Sequence, residues 1–273
     1  MSNGSAWRDA NATDFPAIAH VGPPLRGNLI GPLKQLEEVK QGFNGYSWCE
    51  EAWDTHDDNH HIFGTCTGVL LDGDGPPQLL TVAHCLSTLA SHTVVFDHDA
   101  KNAKNGWLTR HYGATFLNPE NSLANIECVE TCDQEVDFAI FRIDLPSPRR
   151  GMTLSSISPN AKPFALYHPL GLPLKRSPRV KVEATDSKGR PTMKIDNGAG
   201  GSGGAVVDRP GELIGILTGN RAGPGELDYH VGNGCYFPAQ NIPQAFIPTE
   251  SIQSRMKSQT CTLPSGLEYC SKH

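Results

Sequence analysis

An all-β fold is predicted for this 273-residue chain, and three observations carry the prediction. Glycine, with 28 residues, and proline, with 21, are abundant enough to suit a chain of many turns. Short apolar runs recur at short spacing with turn-forming residues between them, the pattern of a β-barrel or β-sandwich. A strong helical pattern is confined to the tail, at Ile247–Lys257. The length allows one large or two small domains with a substantial core.

In chain order, residues 1 to about 45 are rich in Gly, Pro, Asn and Ala and read as an N-terminal arm or pro-segment, with a short helix at Leu33–Val39. Residues 46–273 form the main domain. Asp54-Thr-His56-Asp57-Asp58-Asn-His60-His61 places three histidines and three aspartates in eight residues. Such mixed clusters in loops are usually solvated, so no metal and no cofactor are expected. Cys66–Leu71 and Gln78–Ala83 are apolar runs separated by Asp72-Gly-Asp-Gly-Pro-Pro77, a hairpin signal. Further strands are expected at Thr93–Phe96, Trp107–Phe116, Val136–Ile143, Pro163–Tyr167, Arg179–Ala184, Thr192–Ile195, Gly204–Val207, Leu213–Thr218 and Gly234–Phe237.

Charge and cysteine usage narrow the function classes. A formal charge of -6 gives no basic footprint for nucleic acid. No apolar run reaches the roughly 18 residues needed to cross a bilayer, so no membrane partner is expected. Eight cysteines favour disulfides and an oxidising compartment. Met1–Leu25 contains no apolar signal core, so the expectation is a secreted or extracytoplasmic protein whose signal is absent from this chain. A cytoplasmic protein with free thiols is the alternative. Asn3-Gly-Ser and Asn11-Ala-Thr match the glycosylation sequon, a short and common pattern.

Three stretches carry chemistry. In Asp196-Asn-Gly-Ala-Gly200-Gly201-Ser202-Gly203-Gly204, glycines on both sides of one serine open backbone conformations closed to other residues and expose its hydroxyl and the nearby N–H groups. A nucleophile beside an oxyanion hole needs this. Thr81-Val-Ala-His84-Cys85 sets a histidine at the end of an apolar strand, and a hairpin with the preceding strand is able to bring Cys66 and Cys85 together as a disulfide. Val136-Asp137-Phe-Ala-Ile-Phe141 puts a carboxylate against a strongly apolar run, where it is costly to desolvate unless paired. An imidazole N–H is a suitable partner.

These three motifs, in the order His84, Asp137, Ser202, resemble the chymotrypsin/trypsin-like serine endopeptidases over about residues 62 to 257. The resemblance implies two six-stranded antiparallel β-barrels, the first at about 62–150 and the second at about 160–245, followed by a C-terminal helix. It also implies a triad in which Ser202 is nucleophile, His84 is base and then acid, and Asp137 orients His84. The N–H groups of Gly200 and Ser202 form the implied oxyanion hole. The implied partner is a polypeptide substrate; a protein inhibitor, or the chain's own N-terminal segment, is a further candidate.

Two departures from the family pattern matter. Gly201 stands where vertebrate-type members carry an aspartate that pairs with a new N-terminus, so that activation route is closed. Tyr167-His168-Pro-Leu-Gly-Leu-Pro-Leu174 followed by Gly-Gly-Ser is more similar to the bacterial trypsin-like and glutamyl-endopeptidase branch, with His168 structural. Asp196 lies six residues before Ser202, the family's spacing for the carboxylate at the base of the S1 pocket. Thr218-Gly219-Asn220 resembles one pocket wall and Gly234-Cys235-Tyr236 the strand behind it. A carboxylate there selects Lys or Arg. Glutamyl endopeptidases use a histidine near the position of Leu217. Asp196 as the cap of a turn is the alternative.

Cys128–Cys132 and Cys261–Cys270 are expected as local pairs, leaving Cys49 to Cys235; four bridges allow 105 connectivities, so these stay open. Gly200-Gly-Ser202-Gly-Gly204 also satisfies the nucleophile elbow of α/β-hydrolases, which requires a helix directly after the serine. The remaining alternative is a catalytically latent or dead protease-fold binding protein, latent if residues 1–45 block the site.

Overall fold

A computed structural model describes residues 8–22, 47–48, 66–88, 93–99, 123–145, 147–169, 173–197, 200–218, 229–232 and 235–271. The expected helix at 33–39, the His/Asp cluster at 54–61, the strand at 107–116, and residues Gly219, Asn220, Gly234 and Cys49 lie outside them.

The described chain is nearly all strand. Its first half contains β1 (Arg8–Asp9), β2 (Ile18–Gly22), β3 (Ser47–Trp48), β4 (Cys66–Leu71), β5 (Gln78–Thr81), β6 (Thr93–Phe96), β7 (Leu123–Asp133) and β8 (Phe138–Asp144). The second half contains β9 (Thr153–Leu154), β10 (Phe164–Tyr167), β11 (Lys175–Arg176), β12 (Val182–Thr185), β13 (Pro191–Asn197), β14 (Ala205–Arg209), β15 (Glu212–Leu217), β16 (Tyr229–Gly232) and β17 (Cys235–Pro248).

Six strands close a barrel in the order β2-β4-β5-β8-β7-β6. Its strands bury Val69, Leu79, Leu80, Val94, Phe96, Ile140 and Phe141 completely. Strand β2 lies inside the stretch expected as an arm and pairs with β4 and β6, so this part of the segment is built into the barrel. The second unit is a curled half-barrel sheet ordered β1-β11-β10-β14-β15-β17-β13-β12, with β3 and β16 against β17 and β9 against β15. This is the chymotrypsin-like arrangement of two β-barrels, the second an open curl among the described residues.

The strands joining the two units are apolar on both faces. Along β10 and β14, Ala165, Tyr167 and Val206 fill the second unit's own core. Their neighbours Phe164, Leu166, Ala205 and Val207 join the cluster that contains the first barrel's core. Strand alternation sends successive side chains to opposite faces, so one short run serves two cores. Gly215 on β15 makes room for Phe246, since a Cβ there would stand 2.5 Å from the phenyl Cδ2.

Two expectations need correction. The predicted C-terminal helix is a five-residue helix, α1 (Thr249–Gln253), followed by turns. Ile247 and Pro248 instead pair with Ile216 and Gly215 in the sheet, and Pro248, still extended, precedes the first helical residue. The tail cysteines pair differently as well: Cys128 bonds Cys270 and Cys132 bonds Cys261, with Cα separations of 5.1 and 5.7 Å. Cys128 and Cys132 both lie on β7, where four residues of extended chain span about 13 Å, well beyond disulfide reach. The two bridges fasten residues 258–270 to that strand, helped by backbone bonds from Val129 to Glu268 and between Cys132 and Thr260. The three disulfides among the described residues fit an oxidising, extracytoplasmic compartment. Among the described residues, no helix is long and apolar enough to cross a membrane.

Candidate active site

Strand β5 runs into a 3-10 turn at Ala83–Thr88 that carries His84, and Cys85 beside it is bonded to Cys66 at the start of β4. Asp137 closes the tight turn between β7 and β8 and adopts a left-handed φ of 75°. That conformation is uncommon for a residue with a side chain and persists where surrounding bonds over-determine it. Here Asp133, almost fully buried, supplies those bonds. Its Oδ1 accepts the Glu135 and Val136 N–H groups, and its carbonyl accepts the Asp137 N–H at 2.9 Å. Burial pushes the Asp133 carboxyl up. Hydrogen bonds from the Val136 amide and Ser258, the Arg255 charge and the Glu135 amide outweigh it and hold the group below its usual value.

The turn delivers Asp137 to His84. Nδ1 of His84 lies 2.9 Å from Asp137 Oδ2 and 3.2 Å from Oδ1, while the His84 backbone N–H donates to Oδ1 at 2.9 Å. Thr218 donates its hydroxyl to Oδ2 at 2.7 Å. Burial alone would raise the Asp137 carboxyl. The hydrogen bond and charge of His84, the Thr218 hydroxyl and the His84 amide win, holding it below 3.8. An ionised carboxylate only accepts, so the proton of a neutral His84 ring sits on Nδ1 and Nε2 is the ring's acceptor nitrogen.

Ser202 comes from the second unit, in the turn before β14, half-buried. Its loop is docked on the first barrel at two threonines. The Thr67 N–H donates to the Ser202 carbonyl at 2.8 Å, and the Thr67 hydroxyl donates to the Gly200 carbonyl at 3.0 Å. Thr81 bonds back to the Thr67 carbonyl at 2.7 Å. Thr67 adjoins Cys66 and His84 adjoins Cys85, so the disulfide ties the serine loop's anchor to the histidine turn within one residue on each side.

The glycines make this approach possible. Gly203 has φ +83°, and a Cβ there would stand 1.9 Å from the Thr67 carbonyl oxygen and 2.4 Å from the Thr81 hydroxyl. Gly200 has φ 95°. Gly204 packs against Tyr167, where a Cβ would come within 2.7 Å. After the turn the chain enters β14 rather than a helix, which removes the α/β-hydrolase elbow.

The remaining site residues fall as follows. Asp196 is buried near the end of β13, and its carbonyl accepts the Tyr167 hydroxyl. Burial, and then the Asp196 charge, push the Tyr167 phenol well above 10, so it remains a donor. Thr218, expected in a pocket wall, has its hydroxyl on Asp137; Gly219 and Gly234 are outside the described residues. His168 is buried, stacks on His98 and donates its N–H to Thr67. Thr67, which holds the serine loop, and Thr81, which bonds to Thr67, are contacts that no sequence motif announces. Their one signal was a hydroxyl inside otherwise apolar runs, which a buried position must satisfy.

Comparison with known proteins bears on this geometry. A family model described as a trypsin-like peptidase domain matches residues 66–216, over half of the chain. No curated protein sequence matches it. Among solved structures, it is similar to a serine endoprotease from Yersinia pestis, at 20% identity and TM-score 0.44, with 70% of this chain and 56% of that chain covered. It is also similar to an HtrA-type protease, AlgW, with a decapeptide, at 21% identity and TM-score 0.47, with 71% and 50% covered. The chain thus spans about half the length of these proteins.

Proposed function

Given that this chain belongs to the trypsin-like peptidase family, we propose that it is a serine endopeptidase in which His84, Asp137 and Ser202 form the triad. Ser202 Oγ attacks the scissile carbonyl carbon while its proton passes to His84 Nε2. The carbon–nitrogen bond breaks, His84 returns the proton to the leaving amine, and water hydrolyses the acyl-enzyme by the same route reversed. Asp137 holds the imidazole in the tautomer this requires and stabilises the imidazolium. The N–H groups of Gly200 and Ser202 receive the oxyanion. No cofactor takes part.

The observation that carries this reading is the double contact of His84 with Asp137, through ring and backbone, in a corner whose disulfide also fixes the anchor of the serine loop. Asp196, Thr218, Gly219 and Gly234 would form an S1 pocket selecting Lys or Arg. The burial of Asp196 supports a desolvated carboxylate there. Polypeptide substrates are the partners, with a protein inhibitor or the N-terminal segment as a secondary one; secretion is the location the disulfides favour.

The test is hydrolysis of a peptide library by the wild type, Ser202→Ala and Asp196→Ala. Cleavage after Lys or Arg that vanishes with Ser202→Ala and changes preference with Asp196→Ala is expected. Undiminished hydrolysis by Ser202→Ala would overturn the triad. Hydrolysis indifferent to Asp196→Ala would discard the pocket and keep the enzyme class.

A further inference from the structure

The carboxylate that orients His84 is itself held by a chain of side chains from the other unit. Between β12 and β13, residues 186–190 form a turn closed on itself. The Asp186 N–H donates to the Arg190 carbonyl, and the Gly189 N–H donates to the Asp186 carbonyl. Asp186 Oδ1 accepts the Lys188 and Arg190 amides, both at 2.9 Å. Asp186 Oδ2 receives Nε and Nη2 of Arg190 at 2.8 and 2.6 Å. These contacts, the Arg190 hydrogen bonds foremost after burial's opposing push, keep the Asp186 carboxyl below its usual value.

Two arms of a rigid, planar guanidinium are thereby fixed, and the third has a defined direction. That arm, Nη1, donates to the Thr218 hydroxyl at 3.3 Å. Thr218 donates its single proton to Asp137 Oδ2 at 2.7 Å, the oxygen that also faces His84 Nδ1. A hydroxyl rotates to suit its neighbours, and one that accepts a donor on one side is biased to point its own proton to the other.

We propose that Arg190, braced by Asp186, is a positioning residue for the triad: it sets the Thr218 hydroxyl so that it donates to Asp137. The inference rests on the serine endopeptidase reading above. Arg190 touches neither His84 nor Ser202 in this chain of contacts; it acts through Thr218. The consequence is that the 186–190 turn of the second unit and the acid–base pair of the first are coupled across the domain boundary. A change in that turn reaches His84 without any movement of Ser202.

The experiment compares the wild type, Arg190→Met, Arg190→Lys, Thr218→Val and the Arg190→Met/Thr218→Val pair in the full chain, on the best substrate from the peptide library. Arg190→Met is expected to lower kcat about tenfold with KM within about twofold, because the lost support is felt in the transition state. In the Thr218→Val background the same change should cost less than about twofold, the mark of two residues acting as one unit. Arg190→Lys, a point donor on a flexible stem, should restore only part of the loss. An effect confined to KM would make Arg190 a substrate contact and overturn the proposal, as would full additivity of the two substitutions.

A readout independent of turnover separates this inference from the function it rests on. In Ser202→Ala protein, the Nδ1 proton resonance of His84 should shift and exchange faster with water when Arg190→Met is added. Asp186→Asn should move it in the same direction by less. An unchanged resonance would overturn the proposal even in an active enzyme. A wild type without peptide hydrolysis would overturn the endopeptidase reading, whatever the resonance does.

Discussion

In the closed barrel, His84 and Asp137 meet through contacts made almost wholly within one sheet: a turn braced by Asp133, a disulfide, and the ring and amide of His84 on one carboxylate. In the curled sheet, Ser202 sits on a glycine turn whose position depends on Thr67 of the other unit. The candidate acid–base pair is therefore held mainly within the barrel, with Thr218 of the other unit also on Asp137, and the serine loop is placed by docking. This difference teaches where each half is vulnerable. Damage at the docking surface should separate the serine from an intact pair, whereas damage to the pair should leave the serine loop seated.

The largest expected effect comes from Gly203→Ala. A Cβ at φ +83°, 1.9 Å from the Thr67 carbonyl, cannot be accommodated without moving the serine loop off the first barrel. Peptide hydrolysis should fall by about a thousandfold or more, comparable with the loss of a key oxyanion group. The His84 Nδ1 proton signal should remain, since the ring and amide contacts of His84 with Asp137 are made within the first barrel. Near wild-type hydrolysis would show that Ser202 does not need this seat, and loss of the histidine signal would show that the two halves are not separable.

A smaller effect sharpens the same contrast by pH. Asp133 and Asp137, both in the barrel corner, are held below the usual carboxylate value. A carboxyl depressed in the folded state contributes stability that is fully present above the unfolded value near 3.8 and is lost as pH falls through the folded one. Urea unfolding followed from pH 6 to pH 2.5 should show stability falling below about pH 4. Asp133→Asn should be less stable at pH 6 and show a shallower fall. An equal slope in the variant would mean that the corner is not where the acid sensitivity resides.

Much of the candidate site is legible in the sequence because its motifs are local. A histidine ending an apolar strand, a carboxylate opening another and a serine among glycines each announce themselves within a few residues, and β4, β5, β8, β14 and β15 fall close to the expected runs. Partnerships between distant residues left no such trace. Strand β7 sets buried Ala124, Ile126 and Val129 among exposed Asn125 and Glu127, yet its two cysteines, with three residues between them, suggest a bond with each other. Their true partners lie 142 and 129 residues away, a distance no spacing rule reads. The helix at the tail was overridden by pairing of Phe246–Pro248 with β15, since tertiary packing outweighs intrinsic helix propensity. Thr67 and Thr81 became part of the candidate site only when β4, β5 and the serine loop converged, and Thr218, expected in a pocket wall, placed its hydroxyl on Asp137.

The most direct test of the account is covalent labelling by a fluorophosphonate, which transfers its phosphorus to an activated serine Oγ as fluoride leaves. The wild type should gain one adduct per chain, and peptide mapping should place it on Ser202. His84→Ala and Ser202→Ala should both remain unlabelled over the same interval. Labelling of Ser202 that proceeds equally well in His84→Ala, or a wild type that takes up no label, would contradict the claim that the docked serine and the barrel's acid–base pair work as one site.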